Sequence, residues 1–155
     1  MKSKWIKTLG AICCFSCAVV TGYSQNVHLK GEPTVTDNGA TLTVCVSLAG
    51  LGNQDVTITI ATTGLLDTTC ISPGGNEAPG QNRIPFSTAI TTVVRSTEIK
   101  NGTVTSCATT PGPRVSAKQA GCPNNNWHAR VDDAEFESAT ITVRQGGRVV
   151  LETEL

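Results

Sequence analysis

Apolar and polar side chains alternate along several segments of the chain. From Thr41 to Leu48 every second residue is leucine or valine, and the residues between them are threonine, cysteine or serine. Asp55–Ala61 follows the same rule with valine and isoleucine. A period of two residues places alternate side chains on opposite faces of a β-strand. Both segments therefore predict antiparallel strands with one buried and one solvated face.

Turn sequences separate further segments of the same kind. Asn101-Gly102 lies between Thr97–Lys100 and Thr103–Ser106 and predicts a hairpin with a type I′ turn. Gln145–Gly147 predicts a second hairpin, which closes the chain. With about seven to nine short strands and no long helical periodicity, the sequence predicts an all-β protein. The expected architecture is an antiparallel β-sandwich of the immunoglobulin or fibronectin-III-like type.

Two segments are too rich in turn residues to predict a long strand. The first runs from about Thr63 to Arg83, and its central part, Cys70–Asn82, contains three glycines, two prolines and two asparagines. The second runs from about Thr109 to Asn126 and contains three prolines. We expect both segments to be loops. One short helical turn is expected, either in Ala117–Gly121 or in Asp132–Glu137.

The first 24 residues have the pattern of a secretory signal peptide. Three lysines precede the uncharged apolar run Leu9–Val20, and small residues follow it. A run of about a dozen residues is too short to span a bilayer, which needs ~20. Cleavage is expected after Ser24, with Gly22 as the alternative. Residues 25–155 then form a single β-sandwich domain, and no membrane span is expected.

Cys17 could mark a lipoprotein signal, in which the cysteine after the cut is acylated. Such signals usually have leucine three positions and a small residue two positions before that cysteine. Cys14 and Phe15 hold these positions here. The departure favours an ordinary apolar role for Cys17, and lipid anchoring there is not expected. The protein is therefore expected to be secreted, periplasmic or on the cell surface.

The charge balance argues against two classes of partner. Removing the three N-terminal lysines leaves 9 of the 12 basic residues against 12 acidic ones, a net charge of −3. Nucleic acids and anionic membranes attract basic surfaces. Neither is expected to bind this protein. The sequence does not predict its oligomeric state.

Four cysteines remain after cleavage, namely Cys45, Cys70, Cys107 and Cys122. An even number in an exported chain predicts disulfides, and four cysteines allow three pairings. A structural zinc site is the alternative. It is disfavoured because no two cysteines have C-x-x-C spacing and neither histidine is spaced with them as a ligand. No metal ligand is assigned.

The alternation of the strands favours one of the three pairings. Cys45 lies on the polar face of its strand, and Val104, pointing inward, places Cys107 on the polar face of another. Cysteines on neighbouring strands can form a bridge when their Cα atoms lie within ~7 Å. Cys70 and Cys122 both lie at the mouths of loops. The predicted disulfides are therefore Cys45–Cys107 and Cys70–Cys122.

The residues of Asp132–Glu137 include four carboxylates. A solvated acidic turn is the favoured interpretation. Weak calcium binding by Asp132, Asp133 and Glu135 is an alternative, and a glycosidase-like carboxylate pair is another. No nucleophile elbow is present, so no catalytic residue is assigned and no enzymatic activity is expected. Trp127 is expected to pack in the core against a disulfide rather than to stack on a ligand.

Three segments carry a resemblance to known proteins: Gly50–Thr57, Cys70–Asn82, and Cys122–Asn124 before Trp127. Together they resemble a family of small secreted bacterial proteins with an immunoglobulin-like β-sandwich and no assigned function. The resemblance covers most of residues 25–155. It implies no catalytic residue and no ligand.

The sequence thus predicts a secreted or cell-envelope binding or structural module without catalytic activity, and its partner would be a protein or a glycan. Loops on a rigid sandwich often carry recognition. The candidate binding residues therefore lie in the loop after Cys70 and are Ser72, Asn76, Glu77, Gln81 and Asn82. A small carbohydrate-active or hydrolytic protein using the carboxylates of Asp132–Glu137 is the alternative. A purely structural or inhibitory protein is a third.

Overall fold

The structure is a computed structural model that describes residues 26–155. The predicted signal peptide, its cleavage site and Cys17 lie outside the described residues. Within this range the chain forms nine strands, a 3₁₀ turn and one short helix. In chain order they are β1 (His28–Leu29), β2 (Thr34–Asp37), β3 (Leu42–Ala49), β4 (Val56–Ile71), β5 (Glu77–Pro79), β6 (Ile84–Val94), the 3₁₀ turn Ser96–Glu98, β7 (Val104–Thr109), α1 (Ala117–Ala120), β8 (His128–Gln145) and β9 (Arg148–Glu154).

The strands form two antiparallel sheets. In the four-stranded sheet, β1 and β2 pair with one edge of β3 and β7 pairs with the other. In the five-stranded sheet, β5 and β6 pair with one edge of β4, β8 pairs with the other, and β9 pairs with β8. The predicted all-β, antiparallel sandwich with two disulfides is confirmed. The immunoglobulin or fibronectin-III-like topology stays a prediction.

The core lies where β3 faces the first half of β4 and the second half of β8. The alternation predicted for β3 and β4 is present, since their apolar positions point inward and are almost fully buried. The buried side chains of this cluster include Leu42, Val44, Val46 and Leu48 of β3, Val56, Ile58 and Ile60 of β4, and Ile141 and Val143 of β8. Burying a side chain of this size stabilises the fold by about 1.5–3 kcal/mol relative to leaving it exposed.

The five-stranded sheet is much longer than the four-stranded sheet. β4 has 16 residues and β8 has 18, whereas β3 has 8. The second half of β4 and the first half of β8, which pair with each other, therefore extend beyond β3. A second apolar cluster forms there, with Leu66, Cys70, Ile84, Ala120 and Ala134 as its buried members. Helix α1 packs against β4 and β8 at this end, so the segment between β7 and β8 covers what β3 does not reach.

The predicted loop Thr63–Arg83 is wrong in its first part. β4 continues to Ile71, and β5 forms within the predicted loop. In this half of β4 several inward positions hold threonine or glycine rather than valine or isoleucine: Thr62, Gly64 and Thr68. The backbone alternates regularly, but the hydrophobic pattern that reveals a strand is missing.

The two predicted hairpins have different outcomes. Residues Lys100 and Thr103 form an isolated bridge across Asn101-Gly102, but the expected upstream strand is wrong, because Ser96–Glu98 is a 3₁₀ turn. Its Glu98 carboxylate accepts a hydrogen bond from the Arg95 N–H at 2.8 Å. The second hairpin, β8–β9, forms as predicted, with φ of 59° and 78° at Gly146 and Gly147, as a type I′ turn requires.

The short helix occupies the first of its two predicted positions. α1 begins after Ser116, whose hydroxyl accepts a hydrogen bond from the N–H of Gln119. It ends at Gly121, which adopts the left-handed conformation with φ 70° that favours glycine. The other position, Asp132–Glu137, lies inside β8. The predicted acidic turn is therefore wrong as well, because the four carboxylates are borne by a strand.

The disulfides join Cys45 to Cys107 and Cys70 to Cys122, which confirms the predicted pairing. Cys45 and Cys107 are direct partners on β3 and β7, with their Cα atoms 4.0 Å apart. The second bridge connects β4 to the segment after α1, with a Cα separation of 5.6 Å. Sequence separations of 62 and 52 residues correspond to about 4 kcal/mol each in the chain-entropy account.

β8 shifts its register against β4 at two places, between Thr63 and Gly64 and between Asp67 and Thr68. Beside the first shift the rings of Phe86 and Phe136 meet edge to face, with centroids 5.6 Å apart. A Cβ on Gly64 would overlap the main-chain oxygen of Glu135 and come within 2.9 Å of the Phe86 ring. Glycine is therefore required sterically at this position.

We expect Gly64→Ala to lower the free energy of unfolding by about 1–3 kcal/mol, because the added methyl group overpacks this site. Gly112→Ala is the matched control, since its Cβ would meet Thr41 at an ordinary contact distance of 3.7 Å, and it should change stability by less than about 0.5 kcal/mol. Urea denaturation measures both. Equal stability of the two variants would contradict the steric requirement.

The two disulfides should differ in their rate of reduction in the native state. Cys107 is exposed on the outer face of its sheet, whereas Cys70 is only 1% exposed in the second cluster. Thiol–disulfide exchange requires access to a sulfur atom, so a mild thiol should open Cys45–Cys107 first. Alkylation with one reagent before and a second reagent after unfolding, followed by mass spectrometry, measures this order. Earlier labelling of Cys70 and Cys122 would contradict it.

Candidate functional site

The loop after β4 is tied to the helical segment at one end of the sandwich. The N–H groups of Gln81 and Asn82 donate to the main-chain oxygen of Ala120 at 2.8 and 3.3 Å. The Asn82 side-chain amide also donates to the oxygen of Gln119 at 3.0 Å. Together with Cys70–Cys122, these bonds hold two loops against each other. We call this region, residues 72–82 with α1 and residues 121–126, the tied end.

Ser72, one of the five predicted binding residues, has a structural position. It is 8% exposed, and its hydroxyl accepts a hydrogen bond from the N–H of Asn76 at 2.9 Å. Its own N–H donates to the oxygen of Asn76 at 2.9 Å. Ser72 therefore closes the turn between β4 and β5 instead of presenting a side chain to solvent.

The other four predicted residues lie at the surface, but their contacts differ. Asn76, Gln81 and Asn82 are exposed at the tied end. Glu77 lies in β5 and binds the guanidinium of Arg130 at 2.8 Å. Asn76 lies in the turn after β4, Gln81 and Asn82 lie against α1, and Glu77 belongs to a neighbouring group of charges.

That group lies on the outer face of the five-stranded sheet. Arg130 binds Asp132 at 2.9 Å as well as Glu77. Arg83 binds Glu135 and, at 3.4 Å, Asp67. We call these six residues the arginine network. Their side chains are 36–62% exposed, so each ion pair is worth little to stability on its own.

Asp132 has a lowered pKa. The Thr69 hydroxyl donates a 2.6 Å hydrogen bond to its carboxylate, and this bond is the largest cause of the lowering. Hydrogen bonding to Arg130 and its positive charge add to it, while partial burial opposes it. The carboxylate is therefore held in its ionised form.

The three candidate calcium ligands do not converge on one point, because each has a different neighbour. Asp132 and Glu135 bind Arg130 and Arg83 respectively, and Asp133 lies near Gly39 of the β2–β3 turn. Within residues 26–155, no three groups of the His, Cys, Asp or Glu type are arranged to hold a metal ion.

The sequence patterns do not predict a role for Arg83, Arg130 or Thr69. Arg130 and Asp132 are two residues apart on a strand, and such a spacing predicts neighbours on one face. Their ion pair could therefore have been predicted from the sequence. No sequence spacing predicts the contacts of Arg83, because Arg83, Asp67 and Glu135 lie in three different parts of the chain. Trp127, in contrast, is half-buried and packs on the second apolar cluster, as Cys122 also does.

A groove of about 590 Å³ lies on another part of the surface, between β6 and β7. Its walls include Thr92–Val94 and Thr103–Ser106, with Lys30, Glu98 and Lys100 around them. The sequence does not predict this groove, because the groove depends on which strands become the edges of the two sheets. We call it the edge groove.

Comparisons with known proteins identify no family. No protein-family model matches the chain, and no curated protein matches it. Among solved structures, the chain is similar to part of a Bacteroides fragilis protein assigned as a beta-galactosidase, with 16% sequence identity and a TM-score of 0.30. The match covers 85% of this chain and 16% of that one. Among residues 26–155, no helix is long and apolar enough to cross a membrane.

The lowered pKa of Asp132 predicts a pH-dependent contribution to stability. A depressed pKa in the folded state stabilises the fold above the ordinary value of 3.8, and this stabilisation is lost as pH falls through the lowered value. Asp132→Asn should therefore melt a few degrees below the wild type at neutral pH, and the difference should shrink below about pH 4.

Thr69→Val should have a similar effect, since it removes the hydroxyl that donates to Asp132. Thr63→Val is the matched control, because Thr63 lies on the same strand and face but bonds Ser138 instead. Thermal melts from pH 2 to 7 measure the three variants. A melting difference for Asp132→Asn that does not change with pH would contradict the prediction.

Proposed function

We propose that this protein is a secreted or cell-envelope binding module without catalytic activity, and that the tied end is its recognition surface. The partner is a protein or a glycan. One observation carries the proposal: a disulfide and the hydrogen bonds to Ala120 hold two turn-rich loops in a single arrangement. Preorganised loops lose less conformational entropy on binding.

The exposed side chains of the tied end are mostly amides. They are Asn76, Gln81, Asn82, Gln119, Asn124, Asn125 and Asn126. An amide side chain both donates and accepts hydrogen bonds, so a cluster of amides suits the hydroxyls of a sugar or the peptide groups of a protein. This composition supports recognition of a polar ligand.

The location outside the cytoplasm is supported by the chain's N-terminal sequence and its disulfides. Two disulfides are compatible with an extracellular or periplasmic protein, because such compartments are oxidising. The N-terminal pattern of basic, apolar and small residues adds the expectation of export. We infer a secreted or envelope location from the two together.

The strand order supports an immunoglobulin-like topology. In that scheme strands C, F and G share one sheet and strands A, B and E share the other. β4, β8 and β9 are neighbours in the C, F, G order, and β3 lies between the N-terminal strands and β7, as B lies between A and E. Strand D of the scheme has no counterpart in residues 26–155, where the 3₁₀ turn Ser96–Glu98 connects β6 to β7.

The alternative function, hydrolysis by carboxylates of Asp132–Glu137, has weaker support. A glycosidase needs a general acid with a raised pKa, whereas the pKa of Asp132 is lowered. Glu135, the next candidate, is bound to Arg83. These contacts favour the binding function over the hydrolytic one.

A glycan array and a panel of envelope proteins test the proposal, with the double variant Asn76→Ala/Asn125→Ala. We expect binding to fall about thirtyfold, since each of the two lost hydrogen bonds contributes about 1 kcal/mol. Asn53→Ala is the matched control, an exposed amide in the β3–β4 loop, and it should bind as the wild type does. Turnover of a polysaccharide that Asp132→Asn abolishes would contradict the proposal and favour hydrolysis.

A further inference from the structure

Two unpaired strand edges lie side by side on the sandwich. β7 pairs with β3 and β6 pairs with β4. In the described part of the chain, neither has a strand on its other edge. The edge groove of about 590 Å³ lies between the end of β6, Thr92–Val94, and the start of β7, Val104–Ser106. The main chain at the start of β7 therefore borders a cavity that is open to solvent.

The hydrogen-bond pattern shows which main-chain groups of β7 face away from β3. The N–H of Thr110 donates to the oxygen of Leu42 at 2.9 Å, which makes these residues a hydrogen-bonded pair. In an antiparallel ladder, hydrogen-bonded and non-hydrogen-bonded pairs alternate. Thr105 and Cys107, an odd number of steps from Thr110, therefore belong to non-hydrogen-bonded pairs. Their N–H and C=O groups point outward, toward the groove side of β7.

Neither edge has the charges that usually prevent strands from pairing. β6 has 11 residues and β7 has 6, and none of them is charged. Natural edge strands are commonly protected by charged residues or proline. β9, the opposite edge of the five-stranded sheet, contains Arg148, Glu152 and Glu154. β6 has a proline at its far end, Pro85, but beside the groove it exposes Val93, which is 61% exposed.

The charges around the groove are mainly positive. Lys30 and Lys100 both line it, against one carboxylate, Glu98. Glu98 accepts a hydrogen bond from the main-chain N–H of Arg95, and the Lys100 ammonium donates one to the main-chain oxygen of Thr97 at 3.0 Å. Neither lysine forms an ion pair with any residue between 26 and 155. An occupant with carboxylates would therefore complement the groove.

We propose that an extended segment of a partner polypeptide, carrying acidic residues, adds to β7 as a further strand. Its main chain bonds to the free N–H and C=O groups of Thr105 and Cys107, as in other cases of strand addition. Its alternate side chains pack toward β6, and its carboxylates face Lys30 and Lys100. This interface is separate from the tied end and goes beyond the function proposed there.

A second copy of the chain fits the groove less well. A two-fold interface is isologous, so the same surface meets itself. Pairing β7 with its own copy would bring Lys30 and Lys100 of both protomers to one interface, and like charges oppose such contact. The occupant is therefore a different polypeptide with the opposite charge.

A displayed library of random peptides about eight residues long, longer than a typical strand, tests the proposal against the whole protein. We expect enriched sequences to combine Val, Ile or Thr with Asp or Glu. Thr105→Pro should weaken the enriched peptides at least about tenfold, because proline removes a free N–H. Thr105→Val is the matched control; it keeps the N–H and should bind as the wild type does.

Amide hydrogen exchange gives a second measurement that does not depend on the proline variant folding. In the free protein the amides of Thr105 and Cys107 should exchange faster than that of Ser106, which bonds to β3. The enriched peptide should slow the first two. Lys100→Glu should weaken acidic peptides and strengthen their lysine-substituted versions.

Three outcomes would overturn the proposal. The first is a library without enriched sequences, and the second is binding that Thr105→Pro leaves intact. The third is self-association of the protein that Thr105→Pro abolishes, since a second copy would then be the occupant. Loss of binding at the tied end in Asn76→Ala/Asn125→Ala would change none of these results, so the two proposals fail separately.

Discussion

The pairing of β4 with β8 is the constraint on which the rest of the structure depends. Every residue of β4 from Val56 to Ile71 has a partner in β8, yet β3 has only 8 residues with which to cover this long pair. The uncovered half would expose Leu66 and other apolar side chains to water. The segment after β7 therefore folds over them, and the bridge from Cys70 to Cys122 fixes it there. The tied end is thus a consequence of a sheet that is longer than its partner.

The same constraint explains why the sequence predicts the first half of β4 and misses the second. Val56, Ile58 and Ile60 face β3 across the core and form a regular apolar row. Beyond them, Thr62 and Gly64 occupy the inward positions where the register of β8 shifts and two phenylalanine rings meet. Small residues are needed there, because a Cβ on Gly64 would overlap the neighbouring strand. Hydrophobic periodicity detects only strands whose inward positions are large and apolar.

The candidate sites also differ in how well the sequence predicts them. The disulfide between Cys45 and Cys107 could be predicted because side chains alternate between the two faces of a strand, which is a local property, and Cys45 lies in the most regular strand of the sequence. The ion pairs of Arg83 could not, since they depend on the register between β4 and β8, which two irregularities change. The edge groove could not be predicted either. The groove depends on which strands become neighbours. That is decided by the whole fold, and no short segment of the sequence encodes it.

The bridge between Cys45 and Cys107 matters most at the edge where it lies. Within residues 26–155, β7 is held in its sheet by β3 alone, and an edge strand of 6 residues would otherwise exchange easily with a competing strand. The disulfide fixes β7 in register directly opposite Cys45. An incoming segment must then add to the free edge instead of displacing β7. In this chain one disulfide orders the loops of the tied end, and the other preserves the edge that borders the groove.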